Sequence, residues 1–568
     1  MTGIDRRDFV RASVGAVVTA TGGVGLESAL HRGRGEEPQQ GLADLVVING
    51  NVLTADAAAP RAEAFAVAAG RILMVGRTDA VRRLAGQGTT IVDARGRTVT
   101  PGFIDPHMHP RPMFAADSPY EPVDLSPAAA PTLSALIVAL RRKADKTPPG
   151  MWVIGRGYND ALFGRHPTRV DLDSASADHP IRITHASGHI SVVNSRVLAG
   201  AGITAATADP AGGALDRDSS GAPTGVVRES AGRLAMQGNP PIQQPSVDEQ
   251  RAGLARCLRA FARTGLTSIG VAGSGPEQFA LFQTVTDAPM RVNFMFLESH
   301  FPAVRDLGVR LGLGDERLRV VSIKMFHGNS LSGRTCWLSQ PYSDRADYYG
   351  IPPARSQAEL DAAVLAIHGA GFQIAVHSNG DREIDMVLTA MERAQAAVPR
   401  PDVRHRIEHC SVTTPAILDR IVRAGVVPVF HSYMYEHGSE LASYGTARLD
   451  HIHPFRTALD LGIHCACHSD WPVSSFEPLR RMQDLVTRQG TDGIVRGPTQ
   501  RVTPDEALRM VTAGPAYATH EEHVKGTLRR GLVADFAILS ADPTRVDPST
   551  IAGIQVESVY LGGQLLPS

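Results

Sequence analysis

Lysine is nearly missing from this chain. Of the 57 lysines and arginines in 568 residues, only Lys143, Lys146, Lys324 and Lys525 are lysines. Wherever a bare positive charge suffices the chain uses arginine, so a lysine inside the apolar run "VVSIKMF" calls for a chemical reason. Cysteine is scarce as well. Cys257, Cys336, Cys410, Cys465 and Cys467 form no CxxC pair and no regular ladder, which leaves no basis for a disulfide scaffold. Cys465 and Cys467 share a strand face and read as packed core thiols. An excess of charge of one sign is also absent. A net charge of −1 gives no support for nucleic acid as a partner, and no segment reads as a membrane span.

What is present begins with an address. In "DRRDFVRASVGAVVTATGGVGLESAL", paired Arg6 and Arg7 are followed by an uncharged, weakly apolar stretch too short to span a bilayer. It resembles a twin-arginine signal, which exports proteins already folded. Residues 1–40 are therefore expected to be signal and linker, and the protein periplasmic or extracellular. The alternative is a disordered basic tail on a cytoplasmic protein.

Residues 41–100 read as short strands between Gly and Asn turns, and residues 516–568 have the same texture. The two ends are expected to pair into one small β-sandwich domain. The middle, 101–515, alternates apolar strands with helical stretches such as "SQAELDAAVLAIHGA" and "TTPAILDRIVRAG". Eight strand candidates can be counted: "TVTPGFIDPHMH", "GLTSIGVAG", "RVNFMFLE", "LRVVSIKMFHG", "GFQIAVHS", "RHRIEHCS", "GVVPVFHS" and "GIHCACHSD". That order predicts an α/β fold, a (β/α)8 TIM-like barrel whose chemistry sits at the C-terminal strand ends. Residues 112–250, between the first two strands, are expected to form a cap.

The polar residues closing those strands form a set. His107 and His109 share one face of the first strand, because side chains alternate. Lys324 is on the fourth strand, His377 on the fifth, His409 on the sixth and Asp470 on the eighth. Imidazoles and a carboxylate suit one or two divalent cations, zinc foremost, and Asp470 can also handle a proton. An ammonium would repel a metal, but a neutral lysine that captures CO₂ becomes an anionic carbamate bridge, and burial favours the neutral amine. Taken singly, HxH also fits two polar rim residues, and Lys324 fits a buried ion-pair partner.

Seven stretches together resemble the amidohydrolase superfamily, specifically amidohydrolase family 3: "TPGFIDPHMHP", "GGALDRDSSGAPTGVVRESA", "AVHSNGDREIDMVL", "RHRIEHCSV", "HSDWPV", "TPDEALRMVTAGPAYA" and "KGTLRRGLVADFAIL". The resemblance covers nearly everything after the signal. It implies a metal-dependent barrel hydrolase of amide, N-acyl or formamide-type C–N bonds, with His107, His109, Lys324, His377, His409 and Asp470 as the metal-site residues, a carbamate on Lys324 in two-metal versions and Asp470 as proton carrier. In relatives a His in the context of "HASGHISVVNS" faces the substrate, which nominates His189, with His185 beside it. Arg334 is a candidate for a substrate carboxylate or for a rim salt bridge, and His431, after the seventh strand, for the pocket. Asp381 and Arg382 are candidates for orienting the loop after His377, or for a helix cap and a surface cation. His437, His451, His453, His464 and His468 read as rim or core histidines. His327 stands where many relatives carry an acidic residue, and "HSYMYEH" departs from the usual glutamine–proline pattern. Trp152, Tyr158 and Phe163 fit either a hydrophobic acyl or amine group on the small-molecule substrate or plain core packing. The rival readings keep the barrel but change the bond, to a lactone or ester, a phosphotriester or a ring amine, or make it a non-catalytic metal- or ligand-binding protein. A homodimer is the default oligomer.

Overall fold

A computed structural model describes residues 42–285 and 289–567. The export signal read in residues 1–40 lies outside them. The central sheet has eight parallel strands in chain order. They are β1 (Phe103–Met108), β2 (Leu266–Ser274), β3 (Arg291–Leu297), β4 (Leu318–Phe326), β5 (Ile374–Ser378), β6 (Arg406–His409), β7 (Val427–His431) and β8 (Ala466–His468). Every one falls in a stretch expected to be a strand. Their runs are apolar on both faces because one face meets the barrel interior and the other meets helices.

Helix boundaries follow local chemistry. Ser356 and Glu359 cap the start of Gln357–Gly369 reciprocally. Pro415–Ala424 starts behind Thr414, whose side chain accepts from the Ile417 N–H, and stops at Gly425 in the left-handed region (φ 60°).

The barrel closes where β8 returns to β1. The Asp470 N–H donates to the His107 carbonyl (3.2 Å) and the His109 N–H to the Trp471 carbonyl (2.8 Å). Below that seam, Asp105 of β1 and Arg481 of helix Pro478–Thr487 form a buried ion pair of 2.7 Å. The Ser469 N–H also donates to Asp105 Oδ2 at 3.2 Å. On the other side of β1, a Cβ on Gly270 would stand 2.1 Å from the Pro106 carbonyl oxygen, so β2 can approach β1 only because that residue is glycine.

The chain ends do share a sheet. Its six strands run in the order 564–565, 556–561, 536–539, 98–101, 51–53, 61–62, with Phe536 opposite Pro101 and Ile538 opposite Val99. A second sheet of four strands (71–76, 64–68, 45–48, 90–93) lies next to it in sequence. Helix Ala513–Ala518 crosses the expected boundary at 516. A Cβ on its Gly514 would lie 2.4 Å from the Cys465 carbonyl oxygen, so this helix sits against the entry to β8.

The segment between β1 and β2 builds its own six-stranded sheet, in the order 213–217, 223–229, 190–193, 181–185, 153–158, 123–124, and ends in helix Val247–Ala262 leading into β2. Here the structure decides between two readings. Tyr158 is fully buried in the apolar layer of this sheet, and Trp152 is buried with its Nε1–H donating to the Pro240 carbonyl (2.9 Å). Both are structural, because a large ring between a sheet and its covering chain is core, and Phe163 packs partly buried against the same layer. All five cysteines are buried and unpaired, as expected. Among the described residues no helix is long and apolar enough to cross a membrane.

The seam generates a test. Arg481→Met leaves Asp105 charged and unpaired in the interior, and should destabilise the protein by about 3–5 kcal/mol in chemical denaturation. A midpoint unchanged from the parent protein would show that the seam does not need this pair.

Candidate metal centre

The residues nominated at the strand ends of β1, β4, β5, β6 and β8 come together at one place. His107 is fully buried, and its Nε2 lies 3.2 Å from both Lys324 Nζ and Asp470 Oδ1. His109 Nε2 is 3.2 Å from the same Asp470 oxygen, with its side chain 39% exposed toward the opening. His409 Nδ1 is 4.0 Å from Asp470 Oδ2, and the His377 and His409 rings are 4.6 Å apart.

Two backbone departures aim these groups. His409 (φ 68°) and Asp470 (φ 55°) both take the left-handed conformation just as their strands end. That region is costly for residues other than glycine, and such residues cluster at functional sites. On β6 it has a direct consequence. Arg406 and Glu408 share one side of the strand, and the break at His409, continued at Cys410 (φ 45°), re-aims the imidazole.

Outer partners hold the first ring. Glu408 contacts His107 Nδ1 through a very short contact, and Arg406 grips Glu408 with two bonds of 2.8 Å. Arg406 Nη2 also donates to the Pro106 carbonyl at 3.1 Å. Burial pushes the Glu408 carboxyl up, but Arg406, the His107 contact and Lys324 outweigh it and hold it at about 2. An ionised carboxylate behind an imidazole fixes its tautomer and orientation, as around metal-bound histidines. Neither Glu408 nor Arg406 was nominated from the sequence; both lie within the quoted "RHRIEHC".

Lys324 is fully buried, 4.9 Å above the Phe326 ring. It fits only because Gly273 (φ 80°) stands opposite, where a Cβ would meet Lys324 Cγ at 3.0 Å. Burial lowers this amine to about 8 against the pull of Glu408 and Asp470, so a neutral fraction exists near physiological pH. Asp470 is the reverse case. Burial alone would raise it, but His107, His109 and His409 hold it well below the usual carboxylate range. Burial also drives His377, His409 and His468 well below the ordinary imidazole value, keeping them neutral with a lone pair to offer.

The donor set fits a cation. Asp470 Oδ1 faces two imidazole nitrogens at 3.2 Å yet has no hydrogen bond of proper geometry to either, so acceptors converge on a point that a positive charge would satisfy. His107, His409 and Asp470 present ligand atoms within 4.8 Å of one another, and so do His409, His431 and His468.

The remaining candidates separate. His189, from the cap, does reach the centre. Its ring is 4.9 Å from that of His377, and Glu229 anchors its Nδ1 at 2.7 Å. Arg334 is taken up by Asp160 of the cap at 2.6 Å, the rim salt-bridge alternative, and His185 Nε2 lies 3.1 Å from the same carboxylate. His431 is buried at the end of β7, with Ser474 Oγ 3.0 Å from its Nε2. Asp381 and Arg382 do not cap their helix, which Gly380 and Glu383 do; they hold the chain after β4. The Ser339 N–H donates to Asp381 (2.9 Å), and Arg382 lies over the Trp337 ring (4.8 Å). His327 is buried with neither ring nitrogen partnered. His468, read as rim or core, is fully buried, its ring stacked at 4.7 Å on both His107 and His431.

Comparison with known proteins gives the family and the fold. The N-substituted formamide deformylase of Arthrobacter pascens is 29% identical over 541 residues, spanning 92% of this chain and 98% of that protein. A putative amidohydrolase, YtcJ, of Bacillus subtilis (strain 168) is 27% identical over 526 residues, 89% of this chain and 96% of its own. Among solved structures, an uncharacterized metal-dependent hydrolase from Pyrococcus horikoshii OT3 shares the fold, with a TM-score of 0.69 and 22% identity over 89% of this chain and 99% of that one. The model of the amidohydrolase family matches residues 90–567, and this chain belongs to that family.

Proposed function

We propose that this protein hydrolyses the C–N bond of an amide, N-acyl or formamide-type small molecule, with Asp470 as the proton carrier. The carrying observation is the convergence of His107, His109, Lys324, His377, His409 and Asp470 on one point at the C-terminal ends of the barrel strands. The name of the Arthrobacter pascens relative, an N-substituted formamide deformylase, supports the choice of bond.

His107, His109 and Asp470 would hold one divalent ion, zinc being the one the donor types suit best, and His377 and His409 a second. Lys324, after its neutral amine adds to CO₂ and loses a proton, would bridge the two as a carbamate. When bound, such ions lower the pKa of a water to near neutrality and polarise a carbonyl oxygen.

The chain's own groups do the rest. Asp470, kept ionised, accepts a proton from the attacking water as the C–O bond forms. It then delivers that proton to the leaving nitrogen as the C–N bond breaks, so the products are a carboxylic acid and an amine. His189, steadied by Glu229, faces the centre from the cap and would donate a hydrogen bond to the substrate oxygen. Arg334 serves the cap–barrel contact through Asp160.

Three results would test this reading. Asp470→Asn in metal-replete protein should lower turnover of an N-substituted formamide by roughly 10²–10⁴-fold; full turnover would remove Asp470 from the proton pathway. Stripping metal with a chelator should abolish hydrolysis, and Zn²⁺ should restore it. A panel of N-acyl, formamide, lactone and phosphotriester substrates decides the bond, with activity confined to lactones or phosphotriesters overturning the C–N assignment.

Export through the twin-arginine route is the accompanying proposal, carried by Arg6 and Arg7 ahead of an uncharged stretch. Replacing both by lysine should hold the protein in the cytoplasmic fraction. An unaltered distribution would refute it.

A further inference from the structure

The six residues of the proposed centre leave two neighbouring imidazoles without a task. We infer that His431 and His468, next to His409, form an additional position for a borderline transition-metal cation, beside the six-residue centre. The inference rests on reading the barrel end as a metal centre and adds a site to it.

The placement is dictated by the sheet. His431 and His468 are register partners across parallel strands β7 and β8, so their side chains leave the ladder side by side. Their rings lie 4.7 Å apart at 24°, and His468 stacks on His107 at 4.7 Å and 23° on its other side. His468 is the last residue of β8 and precedes Asp470 by two residues. The His409 ring is 4.9 Å from His468 and 6.0 Å from His431, and one ligand nitrogen from each of the three falls within 4.8 Å of the other two.

The second observation concerns what His468 lacks. It is fully buried, yet neither ring nitrogen has a hydrogen-bond partner. A buried polar group is normally paired, and one that is not calls for a ligand or a special role. His431 Nε2 already meets the Ser474 hydroxyl at 3.0 Å, so binding through that nitrogen exchanges this contact for the cation. Imidazole nitrogens without a carboxylate oxygen select Zn²⁺, Co²⁺, Ni²⁺ or Cu²⁺ over Mg²⁺ or Ca²⁺.

The test counts ions in the full-length protein. Metal-free protein is titrated with Co²⁺, bound equivalents are measured by elemental analysis, and the visible absorption of the complex is recorded. The parent protein should bind one equivalent more than either His468→Leu or His431→Gln, and the variants should lack one set of Co²⁺ bands. Equal stoichiometry and superimposable spectra in all three would overturn the additional position while leaving the six-residue centre standing. A parent protein that binds no Co²⁺ would remove both. Circular dichroism establishes that each variant is folded, and if His468→Leu fails to fold, the count rests on His431→Gln, whose side chain remains polar.

Discussion

The whole arrangement depends on one ionised carboxylate largely withdrawn from water. Asp470 sits among imidazoles and a lysine at the end of a closed set of strands, where its charge must be met by groups of the protein or by what they bind. Burial alone would protonate it; the imidazoles around it prevent that. His377 and His409 are in turn held neutral by the same burial. A charged carboxylate among imidazole lone pairs is an assembly of electron-pair donors, suited to a cation. It is also expensive to hold together, because none of these groups would choose the company of the others without one.

The second layer bears that expense. Glu408 and Arg406 form a fully buried pair behind His107, and Asp105 with Arg481 ties the first barrel strand to the helix after the last. Both pairs act on the short stretch from Asp105 to His107, the part of β1 that leads into the cluster. Glycine does the complementary work. Gly270 lets β2 close on Pro106, and Gly273 leaves room for the Lys324 stem. The cap meets the barrel through polar contacts: Asp160 with Arg334, Asn159 with Glu440 at 2.9 Å, and Glu229, which also anchors His189 within the cap, with Thr335. The ceiling over the centre is thereby positioned by charge and hydrogen bonding, with its aromatic residues Trp152 and Tyr158 withdrawn into its own core.

How much could be read beforehand differs by residue for physical reasons. The HxH pair was legible because strand side chains alternate and both histidines follow an apolar run. Lys324 stood out because lysine is so rare in this chain. His377 and Asp470 were legible as polar residues at strand ends. Arg406 and Glu408 were not, since alternation puts them on one side of β6 and His409 on the other. Only the left-handed backbone at His409 reconciles the two sets. His468 was passed over because one more histidine in "GIHCACHSD" has no mark to separate it from a packed residue. Arg334 had two readings of equal weight in the sequence, and the carboxylate that engages it lies 174 residues away.

The sequence by itself determined the order and kind of the elements: apolar strands alternating with capped helices, two β segments at the ends, and reactive side chains at strand termini. Those are local properties, set by the period of hydrophobicity, by capping residues and by turn chemistry. Tertiary structure decided which histidines meet, which arginine is already engaged, and which aromatic residues are core. Such outcomes depend on strand register and on contacts between segments hundreds of residues apart, and no local pattern encodes a distance across a barrel.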